Sequence, residues 1–397
     1  MEKNTKASVG IMAIMSVCLA SSATSPALAT IGAAFPEASP TAVASIATLP
    51  TLVAVPFTIF AGMVSGRRVR YKTIAAWGLF LSALGGVFPF FAGTVPEILI
   101  GRAILGMGNG LLLPLSAALT LSLFSGGELP KQFSKNAIAM NLGAVFFQLI
   151  GGFLCNIGWR LSFLAYIFVL PVLVTVVILL PEPEAAKPGE KKQEKWEWKA
   201  ILSGPVLFWG ILQLLHNIGI YTFVTQISGI VTEGFIGAAA MASLILALHT
   251  GAGAFGSYIF RGVNKLTGVY CCAVGCGLST AAFWLMAATK SNILLLLASF
   301  LFGTGFGMLK PAFEYYMGRT LQPEYRTVSV SVYNIFASVG SFSSAFVIQA
   351  LRVFFRSAEE RFPFQAVSIL YAVLVVIIFA VGRQIEKGRQ RPERGSA

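Results

Sequence analysis

The sequence contains no aspartate, only two histidines and few charged residues of any kind. Charged residues make up 11% of its 397 residues, whereas soluble domains carry about 25%. This deficit is too large for a water-exposed surface and excludes a soluble globular protein. The hydrophobic fraction of 56% agrees, because long apolar runs alternate with short polar connectors.

Twelve apolar runs are long enough to cross a membrane. A hydrocarbon core of about 30 Å takes roughly 20 helical residues. The sequence therefore predicts an all-α membrane protein with 12 transmembrane helices. The predicted spans, numbered in chain order, are 8–33, 42–64, 73–92, 96–124, 135–155, 158–181, 200–228, 235–258, 266–288, 291–317, 328–351 and 363–382.

The basic residues are divided unevenly between the two sets of connectors. With the N-terminus in the cytoplasm, the inner segments hold 22 of the 29 Lys and Arg residues, and the outer loops hold five. This positive-inside bias predicts that both termini are cytoplasmic. The net charge of +13 therefore reflects orientation in the lipid bilayer, and we expect no nucleic acid partner.

Two segments bear on the organisation of the chain. The first apolar run, with Lys3, Lys6 and the sequence Ala27-Leu28-Ala29, also imitates a cleavable signal peptide. Its removal would leave eleven spans. A charged insert divides the twelve predicted spans six and six. We expect an N-terminal six-helix bundle at 1–181, a cytoplasmic linker at 182–199, and a C-terminal bundle with a basic tail at 200–397.

A glycine ladder followed by a proline occurs once in each half of the chain. The two copies are 197 positions apart, and each lies in the fourth span of its half. A weaker match, 194 positions apart, pairs Gly62 and Arg67 with Gly256 and Arg261. Two similar offsets imply a duplicated six-helix unit. The ladder residues are Gly106, Gly108, Gly110 and Pro114 in span 4, and Gly303, Gly305, Gly307 and Pro311 in span 10.

The ladder predicts helices that bend and pack closely. Proline cannot donate to the carbonyl four residues earlier, and its ring crowds that carbonyl. Here that carbonyl belongs to Gly110 or Gly307, and glycine tolerates the strain best. The alternative is the glycine-rich packing common to membrane helices in general.

Four short motifs carry a resemblance to a known family. Arg102 precedes the ladder in span 4, and a basic cluster that includes Arg67 and Arg70 follows Gly62 after span 2. The other two motifs are Gly158-Trp159-Arg160-x-x-Phe163 and Ser25-Pro26-Ala27-Leu28-Ala29. Together they resemble the major facilitator superfamily, and the span 4 and Gly158 motifs resemble its bacterial drug/proton antiporters.

The resemblance implies two pseudo-symmetric six-helix bundles in a bacterial cell membrane. It implies a secondary transporter that works by alternating access as a functional monomer. Its partners would be a small-molecule solute and protons, and it would need no cofactor and no metal. The glycine ladders and the cluster of Gly62, Arg67 and Arg70 would form the conformational or gating motif.

The sequence also departs from the family pattern at three places, one of which is span 1, which lacks the buried acid of many drug/proton antiporters. Gly66 stands where the loop after span 2 is expected to carry an acid. In span 5, Phe147-Gln148 replaces the Gly-Pro pair of the antiporter motif, although Gly143 and Gly151-Gly152 are present.

Charged residues inside spans are functional candidates, because a charge in the bilayer costs at least a few kcal/mol and usually faces a cavity. Arg102 lies less than two turns inside span 4 from its outer end. We expect it to take part in substrate or proton coupling. The alternative is that its side chain snorkels to the outer headgroups.

Lys310 and Glu314 share one face of span 10, because they are four residues apart. Glu314 lies toward the C-terminal end of that helix, where an anion is disfavoured, and burial also favours the neutral carboxyl. Glu314 is thus the best acid for binding and releasing a proton. The alternatives are a structural Lys–Glu pair or a side chain that reaches cytoplasmic water.

His216 in span 7 and His249 in span 8 are the remaining ionisable candidates. Histidine titrates near neutrality and can carry protons, but a buried histidine can equally be a packing residue. Further side chains that could line a solute path are Gln148, Gln213, Gln226, Asn217, Tyr221, Tyr315 and Tyr316.

We expect proton-driven export of small organic compounds. The sequence carries no phosphate-binding G-x-x-x-x-G-K-[ST] pattern and no pattern for a metal site or a catalytic nucleophile, so we expect no enzyme. A second reading is uptake or exchange of an organic anion, because the buried ionisable residues are mostly basic. A third class, a membrane sensor that does not transport, would need an output domain.

Overall fold

The computed structural model describes residues 2–66, 68–125, 128–183, 203–231, 237–320 and 326–389. The regular structure in these ranges is helical, apart from one isolated bridge between Ser65 and Val69. This confirms the all-α prediction. Arg67 and most of the predicted linker at 182–199 lie outside the described residues.

The described residues contain eleven helical segments that are long and apolar enough to cross a membrane. One of them, Ala238–Ala288, has 51 residues, more than twice what a span requires. It contains the helices Ala238–Thr267 and Cys271–Ala288, joined by a 3-10 turn at Gly268–Tyr270. These two helices are the predicted spans 8 and 9, so all 12 predicted spans are present as helices.

The first six spans include two that are not continuous α-helices. Span 1 has an α-helix at Glu2–Val17, a 3-10 segment at Ala20–Ala27 and a short helix at Leu28–Ala34. Span 6 begins as a 3-10 segment at Trp159–Phe168 and continues as the helix Val169–Leu179. The helices of spans 2 to 5 are Pro40–Val64, Tyr71–Val87, Val95–Leu123 and Glu128–Ile157.

The remaining spans are single helices. Span 12 extends beyond its apolar region into the basic tail, as far as Arg389. Spans 7 to 12 are Gly204–Ile230, Ala238–Thr267, Cys271–Ala288, Asn292–Thr320, Arg326–Phe354 and Phe362–Arg389.

Two helix starts in the first half follow ordinary capping chemistry. The Ser39 hydroxyl accepts from the backbone N–H of Ala42 at 3.2 Å, and the Thr94 hydroxyl accepts from that of Glu97 at 3.4 Å. Each cap is followed by a proline in the first turn, where a missing N–H costs nothing. These signals fix where spans 2 and 4 begin.

The chain forms two compact units. Unit 1 comprises Met1–Gln193 and Val224–Ala247, and unit 2 comprises Glu194–Phe223 and Leu248–Ala397. Residues 224–247 join unit 1 through hydrogen bonds to spans 1 and 5. Ser228 Oγ accepts from the backbone N–H of Ala29 at 3.3 Å, and Asn156 Oδ1 accepts from that of Ala240 at 3.3 Å.

The weaker internal match is wrong. An added Cβ at Gly256 would lie 2.1 Å from the carbonyl oxygen of Thr304, whereas Gly62 has open space around it. The physical reason is the register in which spans 2 and 8 pack against their ladders. Thr58 of span 2 and Ser257 of span 8 make the same contact with a ladder carbonyl, and these two residues are 199 positions apart. The offset of 194 therefore pairs residues that face different neighbours.

Candidate functional site

The glycine ladder of span 4 is the place where three helices of unit 1 touch backbone to backbone. A Cβ at Gly106 would lie 2.7 Å from the carbonyl oxygen of Pro50 in span 2, and one at Gly110 would lie 2.4 Å from that of Ala54. A Cβ at Gly108 would instead lie 2.5 Å from the carbonyl oxygen of Gly78 in span 3. Only glycine permits this approach.

The ladder of span 10 makes the same contacts in unit 2. A Cβ at Gly303 would collide with the carbonyl oxygen of His249 in span 8, and one at Gly307 would come closer still to that of Gly253. A Cβ at Gly305 would lie 2.7 Å from the carbonyl oxygen of Gly275 in span 9. The two halves therefore repeat one packing arrangement and not only one sequence pattern.

Each ladder ends at a proline whose missing N–H is replaced by a hydroxyl from a neighbouring span. Pro114 leaves the carbonyl of Gly110 without its helical donor, and Thr58 Oγ1 donates to that oxygen at 3.1 Å. Ser257 Oγ donates to the carbonyl of Gly307 at 2.9 Å, the oxygen that Pro311 leaves unpaired. The helices of spans 4 and 10 continue past both prolines.

Arg102 is fully buried in unit 1 and is bound by three different elements. Its Nε donates to the carbonyl of Ile46 at 2.7 Å, its Nη1 to Tyr166 Oη at 2.7 Å, and its Nη2 to the carbonyl of Ser21 at 2.8 Å. The snorkelling alternative is therefore wrong. All three acceptors are neutral oxygens, so the charged partner in each hydrogen bond is the guanidinium. These bonds join span 4 to spans 1, 2 and 6.

The motif at Gly158 is an anchor at the N-terminal end of span 6. The guanidinium of Arg160 lies 4.5 Å from the ring centre of Trp159 and donates to the carbonyl of Ala92, which follows span 3. Arg361 before span 12 donates in the same way to the carbonyl of Thr289, which follows span 9. Both arginines thus satisfy carbonyls at the C-terminal end of a helix.

The turn after span 2 explains why glycine replaces the expected acid. Gly66 has a φ of 70°, and a Cβ there would lie 2.4 Å from the ring of Tyr71. Any side chain at this position would be strained and would collide. Arg70 is exposed at the start of span 3, and Gly62 is exposed at the end of span 2.

His216 and His249 lie in one aromatic cluster of unit 2. His216 Nδ1 is 2.8 Å from Tyr371 Oη, and its ring stacks on Phe306 at 5.8 Å. His249 belongs to the same cluster. Its ring centre lies 4.7 Å from that of Phe302 and 5.2 Å from that of Phe306. Within the described ranges, His216 Nε2 and His249 Nδ1 have no hydrogen-bond partner.

Lys310 and Glu314 continue the same row of span 10. Phe302, Phe306, Lys310 and Glu314 follow one another at steps of four residues, so the row passes from the aromatic cluster to the charged pair. Lys310 is exposed, and Glu314 is partly buried. In contrast with Arg102, both side chains can be reached from outside the packed core.

Three of the polar residues predicted to line a path are buried among other helices. Gln213 and Asn217 belong to a network between spans 7 and 11, where Tyr333 Oη donates to Gln213 Oε1 at 2.6 Å and Ser341 Oγ donates to Asn217 Oδ1 at 3.2 Å. Gln148 is buried in span 5. Its neighbour Phe147 stacks on Tyr166 at 6.1 Å, so the aromatic ring that replaces the expected glycine supports the partner of Arg102.

Sequence reasoning missed Thr58, Tyr166, Ser257, Tyr333 and Tyr371, which hold the candidate residues in place. Hydroxyl groups in membrane helices are common and carry no motif of their own. For Thr58 and Ser257 the sequence held one indirect signal, the proline at the end of each ladder. That proline leaves a carbonyl that needs a donor from another span. For Tyr166 and Tyr371 the pattern offered none.

Comparisons with known proteins agree on one family. The family model for the Major Facilitator Superfamily matches residues 10–345. The "Purine ribonucleoside efflux pump NepI" of Salmonella typhimurium (strain LT2) is 31% identical over 139 residues, which is 34% of this chain and 34% of that protein. The same protein of Salmonella enteritidis matches equally. The match thus spans about a third of the length of these curated relatives.

Solved structures share the fold over nearly the whole chain. The nucleoside transporter NupG superposes with a TM-score of 0.80 at 12% identity, covering 94% of this chain and 99% of that one. A bacterial homolog of the human lysosomal transporter Spinster, in an inward-facing and occupied conformation, gives 0.77 at 14% identity and covers 99% and 100%. At such identities the likeness shows the fold alone.

Proposed function

The chain belongs to the major facilitator superfamily, whose members are transporters and not enzymes, and we propose that it exports a small organic solute in exchange for protons. The chain is a multi-pass membrane protein of this family. Transport would proceed by alternating access, and the two glycine ladders would let closely packed spans bend and slide. We propose further that it acts as a monomer in a bacterial cell membrane with both termini in the cytoplasm.

The proposed solute is a purine ribonucleoside or a heteroaromatic compound of similar size. The partial match to an efflux pump for purine ribonucleosides supports both this class and the outward direction. Both histidines of the cluster with Phe306 are buried, so a solute would reach its aromatic faces, and the two imidazole nitrogens with no partner in the described ranges, after a movement of the spans. Planar bases stack on such rings and hydrogen-bond to such nitrogens.

The contrast between Arg102 and Glu314 is the observation that carries proton coupling. Arg102 uses each of its three nitrogens on a neutral oxygen inside unit 1, so its charge serves the packing. Glu314 is partly buried beside the exposed Lys310 on span 10. A carboxyl group in that position can exchange a proton with water and respond to a neighbouring cation.

The same contrast weakens the second reading, exchange of an organic anion. That reading needs a cation free to bind a carboxylate, and the two available were Arg102 and Lys310. With Arg102 bound on three sides, Lys310 remains as the exposed one in span 10. Anion exchange therefore depends on a single residue, which makes it easy to test.

Proteoliposomes that contain the purified protein give the direct test of this function. A pH gradient that drives protons outward should cause accumulation of labelled inosine, and a protonophore should abolish it. Labelled benzoate in the same vesicles should not accumulate. Accumulation of benzoate without inosine would replace the proposal by anion exchange, and equal inosine movement with and without the gradient would remove proton coupling.

A further inference from the structure

A groove with a basic end and an apolar end opens on the surface of unit 1. Its lining includes neither the ladder residues nor Arg102. Its volume is about 970 Å³, at the upper end of ordinary ligand pockets of about 300–1,000 Å³. Span 1 begins at this groove, span 3 begins at it and span 6 ends at it. All three helix ends therefore lie at one membrane face, the face that the positive-inside bias assigns to the cytoplasm.

The polar end of the groove carries three basic side chains and one acid. Lys6, Arg70 and Lys72 line it together with Glu182. The two carboxylate oxygens of Glu182 accept from the backbone N–H groups of Tyr71 at 2.7 Å and Lys72 at 3.0 Å. The acid of the groove is thus committed to capping span 3, and Arg70 and Lys72 give this end of the groove a basic character.

The other end of the groove is apolar and outward-facing. Trp77 is 58% exposed, Ile178 is 71% exposed and Phe80 is 43% exposed. The rings of Trp77 and Phe80 meet edge to face at 5.8 Å, which holds them as one surface. From Lys72 to Phe80 the helix rises about 12 Å, so the groove runs from the headgroup level into the depth of the acyl chains.

We propose that this groove binds one anionic phospholipid of the cytoplasmic leaflet. The phosphate lies between Arg70 and Lys72, and an acyl chain lies along Trp77, Phe80 and Ile178. Basic pockets between membrane helices on the cytoplasmic side suit anionic headgroups, and each nearby Lys or Arg adds to the attraction. The bound lipid would tie spans 1, 3 and 6 together at the end where Glu182 joins spans 3 and 6.

The test uses the full protein in neutral detergent and phospholipids that carry bromine on their acyl chains, which quench tryptophan fluorescence on contact. Brominated phosphatidylglycerol should quench at concentrations on the order of tenfold lower than brominated phosphatidylcholine. Trp77→Phe should remove the part of the quenching that appears at low phosphatidylglycerol concentration, and the quenching of other exposed tryptophans such as Trp284 should remain. Equal quenching by the two lipids in the wild type, or undiminished quenching in Trp77→Phe, would overturn the proposal.

A matched pair of double variants separates this groove from the general charge of that face. Arg70→Gln with Lys72→Gln should weaken phosphatidylglycerol binding on the order of tenfold. Lys131→Gln with Lys135→Gln removes the same charge from exposed positions of span 5 and should leave binding unchanged. An equal loss in both pairs would show nonspecific attraction and would also overturn the proposal.

Two further outcomes distinguish other occupants. Inorganic phosphate at millimolar concentration should not displace the lipid, and displacement would make the groove an anion site that needs no acyl chain. The mass of the protein in detergent should be unaffected by the Arg70 and Lys72 changes. Dissociation of a dimer by those changes would instead make the groove an interface between two copies of this chain.

Discussion

The hydroxyl of Thr58 donates to the carbonyl oxygen of Gly110 at 3.1 Å, the oxygen that Pro114 deprives of its helical partner. Ser257 makes the same contact with Gly307 at 2.9 Å in the other half of the chain. A buried carbonyl without a donor is costly, so each hydroxyl allows a proline to remain inside a continuous span.

Thr58→Val should therefore destabilise the protein, because it leaves the carbonyl of Gly110 unpaired while keeping the shape of the side chain. We expect a loss of about 1 kcal/mol, the scale of one such bond in a membrane protein. Thr58→Ser should retain most of the stability. Thermal unfolding of the purified protein in detergent measures both, and equal melting temperatures for the two variants would contradict this role.

Thr175→Val is the matched control for that comparison. The Thr175 hydroxyl also bonds a carbonyl, that of Pro171 at 2.9 Å, but at an exposed position of span 6. Its loss should leave the melting temperature unchanged.

Bulk at the central ladder glycines should block transport without blocking insertion. A side chain at Gly108 meets the carbonyl oxygen of Gly78, and one at Gly305 meets that of Gly275. Gly108→Leu and Gly305→Leu should reach the membrane but move little solute, as measured by uptake into vesicles per amount of inserted protein. Gly277→Leu places the same side chain where nothing lies within 4 Å and should be tolerated. Normal transport in the first two variants would remove the argument from close packing.

Much of the fold was predictable from sequence because its constraints act along a single helix. A span needs a fixed number of apolar residues, and a glycine ladder repeats at a fixed spacing. The pairing of Gly62 with Gly256 failed because it matched residue types over a segment that includes a turn. The packing register is instead set by contacts between helices. The tertiary partners of Arg102 were equally out of reach, since Ile46, Tyr166 and Ser21 come from three separate spans.

Removal of the Tyr166 hydroxyl, one of the three partners of Arg102, should lower the stability of the protein and leave its affinity for the solute unchanged. Tyr166→Phe leaves one guanidinium N–H without its acceptor, and hydrogen bonds to charged groups contribute about 1.5–3 kcal/mol. We expect the melting temperature to fall while the KM for the solute stays within about twofold. An unchanged melting temperature with a weakened KM would return Arg102 to the solute site.

Phe163→Leu is the control for this change. Phe163 is buried in span 6 close to Tyr166 but makes no bond to Arg102, and its loss should cost packing without affecting the charge. Neither variant should change the KM for the solute.

Lys310 distinguishes the two leading functions. If the solute is a neutral nucleoside, Lys310→Gln should keep solute binding within about threefold. If the solute is a carboxylate, the same change should weaken binding by about an order of magnitude or more, on the scale of a charge-assisted hydrogen bond of about 1.5–3 kcal/mol. Binding of inosine and of benzoate to wild type and variant decides between them, with Lys290→Gln as a control in the loop between spans 9 and 10.

The central claim is that Glu314 carries the proton that drives export. Glu314→Gln keeps the size and hydrogen-bonding capacity of the side chain but cannot release a proton. In proteoliposomes, this variant should still exchange labelled inosine for unlabelled inosine at a rate close to that of wild type, and it should fail to accumulate inosine against a gradient at any imposed pH difference. Accumulation that follows the pH difference as in wild type would contradict the account and transfer the proton to His216 or His249.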